Sequence, residues 1–255
     1  MIRIRVTRDA GIGRIVLARP EKKNALDKTT ATELHSALLS LDEDPGVNVV
    51  LLSADGEDFC AGADLEALES LIDASRDELK SDASALGRVF LAIRALAKPV
   101  IAAVQGRALA GGAGLANACD IVLAHENAQF GYPEVRVGFV PAMVMTMLRR
   151  SVGEKRAFDL VVTGRTISAS EAVETGLASR MISAPEWTSS IEVTASMVAR
   201  MSPSAVRMTK RLFYDLDGRD FQDSIAYGVE TNVNARETAD FKEGVRRFLQ
   251  RSRQP

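Results

Sequence analysis

Two short apolar runs, residues 47–54 and 99–104, each lead through a segment of glycine and small residues into a helical pattern. Strand, loop and helix in that order predict parallel strands buried on both faces, with helices layered against them. A third run at 121–124 extends the series. The chain is therefore expected to be α/β, built from repeated β-β-α-like turns. Its 255 residues, 46% hydrophobic and 26% charged, are enough for one substantial core.

The rest of the chain supports this layering. Residues 3–18 alternate around the turn Asp9-Ala10-Gly11-Ile12-Gly13 and read as a pair of short strands. From Asp27, a candidate cap, Leu34, Ala37, Leu38 and Leu41 recur at helical spacing until Pro45-Gly46. Residues 65–86 carry a weak helical pattern and are expected to be mobile. After Pro141 the chain reads as mostly helical: Ser168 and Glu171 suggest a capping box closed by Gly176, and Ser202-Pro203 starts another helix. Helices are expected over about 203–216, 220–237 and 240–251, the last begun by Asp240 and Glu243.

Charge and cysteine content narrow the function. Thirty-two basic residues against 34 acidic ones give a net charge of −2, so no global attraction to nucleic acid or an anionic membrane is expected. Cys60 and Cys119 lack metal or redox spacing and read as small buried hydrophobes, and two histidines cannot build a histidine-rich metal cage. The N-terminus lacks a signal-peptide core and no apolar run reaches spanning length, so the expectation is a cytoplasmic protein outside the membrane.

Chemistry is most readily sought in two loops, 59–65 and 106–114. Glycine lets a ligand approach the backbone, and peptide N–H groups at a helix start point outward with the positive end of the dipole. Two such groups converging would make an oxyanion hole. Tight helix packing uses glycine in the same way, and spacing does not separate the two readings. Neither loop carries a phosphate-loop or dinucleotide fingerprint.

Several segments together resemble the crotonase (enoyl-CoA hydratase/isomerase) superfamily over about residues 14–249. They are Arg19-Pro20-Glu21-Lys22-Lys23-Asn24-Ala25-Leu26, Phe59-Cys60-Ala61-Gly62-Ala63-Asp64-Leu65, and Val104-Gln105-Gly106 continuing through Ala110-Gly111-Gly112 to Cys119-Asp120-Ile121. Phe130-Gly131-Tyr132-Pro133-Glu134 and Phe139-Val140-Pro141 complete the set. The resemblance implies the crotonase-like (ClpP/crotonase) spiral of β-β-α turns over residues 1–200. A helical trimerisation region over 201–255 follows, and the assembly would be a homotrimer or a dimer of trimers. It also implies an enzyme of fatty-acyl thioesters that needs no separate cofactor, CoA being part of the substrate.

By the same resemblance, the N–H groups of Ala63 and Gly111 hold the thioester carbonyl and stabilise the enolate, worth ~3 kcal/mol per donor. Lys23, Ala25, Leu26, Ala61, Gly62, Asp64 and Leu65 match positions along the CoA cleft. Main-chain groups at 23, 25 and 26 would read adenine, with the Lys23 ammonium near phosphate. Asp64 also reads as the cap of the next helix. Hydratases of the family typically carry two glutamates. The second matches Glu134, whereas the first falls on Gly114. One general acid/base remains, expected to have a raised pKa among Val135, Val137, Phe139 and Val140.

Hydration of a 2-enoyl-CoA is the leading expectation. The alternatives are isomerisation of a 3-enoyl-CoA to a 2-enoyl-CoA, hydrolysis or decarboxylation of another acyl-CoA, or non-catalytic acyl-CoA binding. Gly114 is expected to leave room for a water or a bulkier acyl group. Val140, Met143 and Met145, with Leu68 and Leu71 opposite, are candidates for the acyl pocket, although such a cluster also suits ordinary core. Tyr214 and Tyr227 read as packing residues of the C-terminal helices.

Overall fold

The computed structural model describes residues 3–251; Met1, Ile2 and the last residues of the chain, for which strand and tail expectations were stated, lie outside them. The chain opens with an antiparallel hairpin, β1 (Ile4–Asp9) and β2 (Ile12–Leu17), in register from Ile4 opposite Leu17 to Asp9 opposite Ile12. Asp27 caps α1 (Lys28–Glu43), its carboxylate accepting from the Thr30 N–H at 2.7 Å. Leu34, Leu38 and Leu41 on one face of α1 are fully buried, each contributing about 1.5–3 kcal/mol of burial.

Then comes β3 (Val49–Ala54), whose first four residues are buried on both faces, as suits a parallel strand. The weakly helical stretch that follows folds as α2 (Leu65–Glu69) and α3 (Arg76–Ala95). A full capping box between Ser75 and Glu78 starts α3. Two β-β-α turns succeed it. The first is β4 (Val100–Val104), β5 (Arg107–Leu109) and α4 (Gly111–Ala118). The second is β6 (Ile121–His125), β7 (Gln129–Gly131), a 3-10 turn at Pro133–Val137, α5 (Ala142–Val152) and α6 (Glu154–Thr163).

The remaining elements are β8 (Thr166–Ser168), α7 (Ala169–Thr175), β9 (Arg180–Ile182), α8 (Trp187–Ala199), α9 (Pro203–Asp215), α10 (Phe221–Glu237) and α11 (Ala239–Arg251). Six strands form one sheet in the order β1-β2-β3-β4-β6-β9, parallel apart from the hairpin. The second strands of the turns, β5 and β7, form a small sheet with β8, in the order β5-β7-β8. The chain thus spirals between two sheets, with the main core between the large sheet and α1, α3, α4 and α5.

One correction concerns the C-terminal half. The region after Pro141 is mostly helical, as expected, with the three-residue strands β8 and β9 returning to the sheets. Asp240 does not start the last helix: its carboxylate accepts from the hydroxyls of Ser202 and Ser204 at 2.6 and 2.7 Å, pinning the start of α9, while the Phe241 N–H bonds Thr238. The Lys210 ammonium anchors α9 to the core. It donates to the carbonyls of Ile93 and Lys98 and to Asp120 Oδ2 at 2.7–2.9 Å, and the Tyr214 hydroxyl donates to Asp120 Oδ1. Beyond it, α10 buries none of its residues. Among the described residues no helix is long and apolar enough to cross a membrane.

Candidate active site

Local hydrogen bonding explains how the site is built. Asn24, 2% exposed, receives the Arg19 N–H on its side-chain oxygen and donates from its amide to the carbonyls of Asp55 and Asp58. This closes the turn in which Lys23 and Asn24 both take the left-handed conformation. The buried Arg19 guanidinium bonds the Ala25 carbonyl and Asp64, the latter at 2.9 Å. Burial works to raise the Asp64 carboxyl, but Arg19 and the peptide N–H groups of Glu66 and Ala67 outweigh it, so Asp64 titrates below the ordinary carboxylate range and caps α2.

The loop at 59–64 lies between this turn and β5. Leu26 donates its N–H to the Gly62 carbonyl and accepts from the Asp64 N–H. Both bonds flank Ala63, so the peptide groups of Ala63 itself face away from Leu26, and Ala63 lines a cavity. On the loop's other edge Cys60 bonds Arg107 and Leu109 of β5. Gly62, at φ +98°, could not carry a side chain, because a Cβ there would meet the Leu109 carbonyl oxygen at 2.9 Å and the Ala110 Cβ at 3.0 Å. The two glycine-bearing loops are thus held against one another.

Ala110 precedes α4 at φ +50° and ψ −121°, a conformation costing about 1–3 kcal/mol for a residue with a Cβ. Gly111, the first residue of α4, lines the same cavity. The first N–H to bond within that helix is that of Gly114, to the Ala110 carbonyl. The Gly111 N–H therefore has no acceptor in its own helix. Gly112 serves packing instead: a Cβ there would lie 2.3 Å from the Cys60 carbonyl oxygen.

The cavity has a volume of about 380 Å³ and is walled mostly by apolar side chains. It brings together Ala63, Gly111 and Glu134, and its lining includes Leu26, Ala61, Asp64 and Leu65 as well as Leu68, Leu71, Val140 and Met143. Glu134 sits in the 3-10 turn after Pro133 and is only 9% exposed. Its Oε2 is shielded from solvent and has no hydrogen-bond partner. Burial holds its pKa above the ordinary carboxylate value, against a smaller opposing effect from its own peptide group.

Lys23, Ala25, Gly62, Gly114 and Met145 do not line the cavity. The main-chain groups of Lys23, Ala25 and Leu26 are already paired, Lys23 and Leu26 directly to the 61–64 loop, and in the structure they support that loop. The expectation of free space at Gly114 is wrong. A Cβ on Gly114 would meet Val144 Cγ1 at 2.2 Å and Phe90 Cζ at 3.2 Å, so apolar side chains of α5 and α3 fill the volume.

Asp82 on α3 was not singled out from sequence, where it is one polar residue in a polar stretch. It lines the cavity and its pKa is raised by burial, with Lys28 opposing and Asp27 reinforcing the shift. Arg19 and Asn24 were visible only as parts of a motif. Ala63, Gly111 and the desolvated carboxylate of Glu134 line one apolar cavity; peptide N–H groups directed into such a space could polarise a carbonyl, and the carboxylate could move a proton at an adjacent carbon. Among the described residues, no group of three or more His, Cys, Asp or Glu side chains is placed to hold a metal.

The chain is similar to known proteins over nearly its whole length. The sequence profile of the enoyl-CoA hydratase/isomerase family matches residues 7–255. A Thermus thermophilus protein provisionally named an enoyl-CoA hydratase is 41% identical over 93% of this chain and 94% of its own. The crotonyl-CoA hydratase of Syntrophomonas wolfei is 34% identical over 93% of this chain and 91% of its own. The crystal structure of a Mycobacterium smegmatis enoyl-CoA hydratase superposes with a TM-score of 0.94 at 33% identity, covering 98% of this chain and 97% of that one.

Proposed function

The chain belongs to the enoyl-CoA hydratase/isomerase family, and from that premise we propose that it hydrates a 2-enoyl-CoA thioester with Glu134 as its single general acid/base. The observation carrying this reading is the buried, unpaired carboxylate of Glu134 in the same apolar cavity as the peptides of Ala63 and Gly111. The thioester oxygen would accept from the Ala63 and Gly111 N–H groups. Glu134 would take a proton from water as the oxygen adds to C3, leaving an enolate held by those donors. The protonated carboxyl would then deliver its proton to C2. Desolvation makes the carboxylate a stronger base than one in water, which suits both halves of the transfer.

A second reading, 3-enoyl-CoA to 2-enoyl-CoA isomerisation, is favoured by one observation. Val144 and Phe90 occupy the space beside Gly114, so no second carboxylate stands there to orient a water, and one base moving a proton between two carbons needs none. The two readings differ in one assay. Hydration makes the conjugated-enoyl absorbance of a short 2-enoyl-CoA fall, whereas isomerisation makes it rise from a 3-enoyl-CoA. If the absorbance moves with neither substrate, both readings fail and acyl-CoA binding without turnover takes their place.

The partner in this reading is the acyl-CoA thioester. Leu26, Ala61, Asp64 and Leu65 border its path, with Lys23 nearby as the cation for phosphate, and Leu68, Val140 and Met143 surround the acyl group. No cofactor is required. We include a homotrimeric or hexameric assembly, supported by the apolar residues that the C-terminal helices leave exposed, Ile225, Val229 and Val233 on α10 and Phe241 and Val245 on α11. A cytoplasmic setting, supported by two free buried cysteines, completes the proposal.

A further inference from the structure

Among the described residues, three buried side-chain polar atoms lack a hydrogen-bond partner: Asn117 Nδ2, Tyr132 OH and Glu134 Oε2. Such atoms are rare in folded proteins and costly where they occur, so three of them call for a common explanation. They are chemically complementary, an amide donor, a hydroxyl that both donates and accepts, and a carboxylate oxygen that only accepts. Tyr132 is fully buried and lies two residues before Glu134, where the chain leaves β7 for the 3-10 turn. Asn117 stands on α4, and its side-chain oxygen is already engaged, accepting from the Ser151 hydroxyl of α5 at 2.7 Å. With the amide in this orientation its nitrogen carries the donor that has no partner.

We propose that Tyr132 is a positioning residue for Glu134, donating its hydroxyl hydrogen to Oε2 while accepting from the Asn117 amide that Ser151 holds in place. This rests on the reading of Glu134 as the acid/base. Bonded through Oε2, the carboxylate would present Oε1 as the oxygen that exchanges protons with substrate. Hydrogen bonds of this kind are commonly slack without substrate and tighten in the reacting complex. The electrostatics agree with the proximity. Burial raises the Tyr132 hydroxyl, the Glu134 charge raises it further, and the Asn117 amide opposes both.

The charged groups around this chain are accounted for. Asp27, Lys28, Asp64, Asp82 and Arg136 line the cavity, yet the pKa of Glu134 is set by burial and its own peptide group. On α6, which packs against the turn, Asp159 is paired with Arg165, and on α5 Arg149 and Arg150 are paired with Glu154 and Asp217.

The test is the pH dependence of turnover in Tyr132→Phe, using whichever of a 2-enoyl-CoA or a 3-enoyl-CoA the enzyme consumes. Loss of a hydrogen bond to a carboxylate should lower kcat roughly tenfold or more, leave KM within about twofold, and move the acid limb of kcat/KM upward by about one pH unit. Ser151→Ala, at the far end of the chain, should shift the limb in the same direction by less. A Tyr132→Phe profile that superimposes on the wild type overturns the proposal, provided Glu134→Gln is inactive in the same assay. An active Glu134→Gln removes the reading of Glu134 itself, and the proposal with it.

Discussion

Val144 Cγ1 stands where a side chain on Gly114 would have to begin: a Cβ built on Gly114 meets it at 2.2 Å, with Val144 Cβ at 3.1 Å. The missing second carboxylate is therefore not an open place waiting to be refilled. Gly114→Glu alone should destabilise the fold by about 1–3 kcal/mol or more through overpacking, and should not raise hydratase activity. Gly114→Glu combined with Val144→Ala should recover part of that loss. Thermal melts and turnover of the two variants check the pair, and a stable, faster single variant would contradict it.

Glu134 should reveal its burial through stability. Its folded pKa is raised above the unfolded value, so the folded state holds the proton more tightly. The favourable contribution is complete below the unfolded pKa of ordinary glutamate and is lost as pH rises through the folded value. At neutral pH the buried carboxylate is thus a cost. Glu134→Gln should be at least as stable as the wild type at pH 7, with the advantage shrinking toward pH 4. Denaturant titrations at both values measure it, and an advantage that instead grows toward pH 4 would contradict this account.

Lys210 should be among the most sensitive positions outside the cavity. Its side chain is 5% exposed and bonds two carbonyls and Asp120. Lys210→Met leaves the Asp120 carboxylate without its cation and should cost about 3–5 kcal/mol. Tyr214→Phe, which removes the bond to Asp120 Oδ1, should cost only about 1 kcal/mol. Urea denaturation of the two variants should show this order, and equal effects would argue against Lys210 as the anchor of α9.

Cys60 and Cys119 should be inert in the folded protein. Both are buried, and burial pushes the Cys60 thiol up to about 12 and Cys119 higher still. A thiol reagent at pH 8 should label neither until denaturant is added. Rapid labelling under native conditions would show that the loop carrying Cys60 opens.

Patterns of sufficient length were legible in the sequence. The apolar face and Asp27 cap of α1, the parallel β3 and β4, and the cap at Ser168 with its stop at Gly176 all stand where periodicity and capping chemistry put them. The strands β5, β7, β8 and β9 were not, because three residues are too few for an alternating pattern to register and their pairing is long-range. The family motifs pointed to Ala63, Gly111 and Glu134, which the fold gathers around one cavity. Gly114 was misread because what fills its space comes from Val144, thirty residues later in the chain, a packing fact that spacing cannot carry. Asp240 was misread because a carboxylate at a helix start can equally bond the neighbouring helix, as it does with Ser202 and Ser204.

The central claim is that Glu134 alone moves the proton beside a carbonyl held by Ala63 and Gly111. The most direct measurement compares wild type with Glu134→Gln on a short 2-enoyl-CoA, following the conjugated-enoyl absorbance, with calorimetric titration of the same thioester. The account predicts that the wild type consumes the absorbance and that Glu134→Gln is slower by roughly 10²–10⁴-fold, while both bind the thioester with similar Kd. Equal rates in the two proteins, or an unchanged absorbance with wild type, would contradict it.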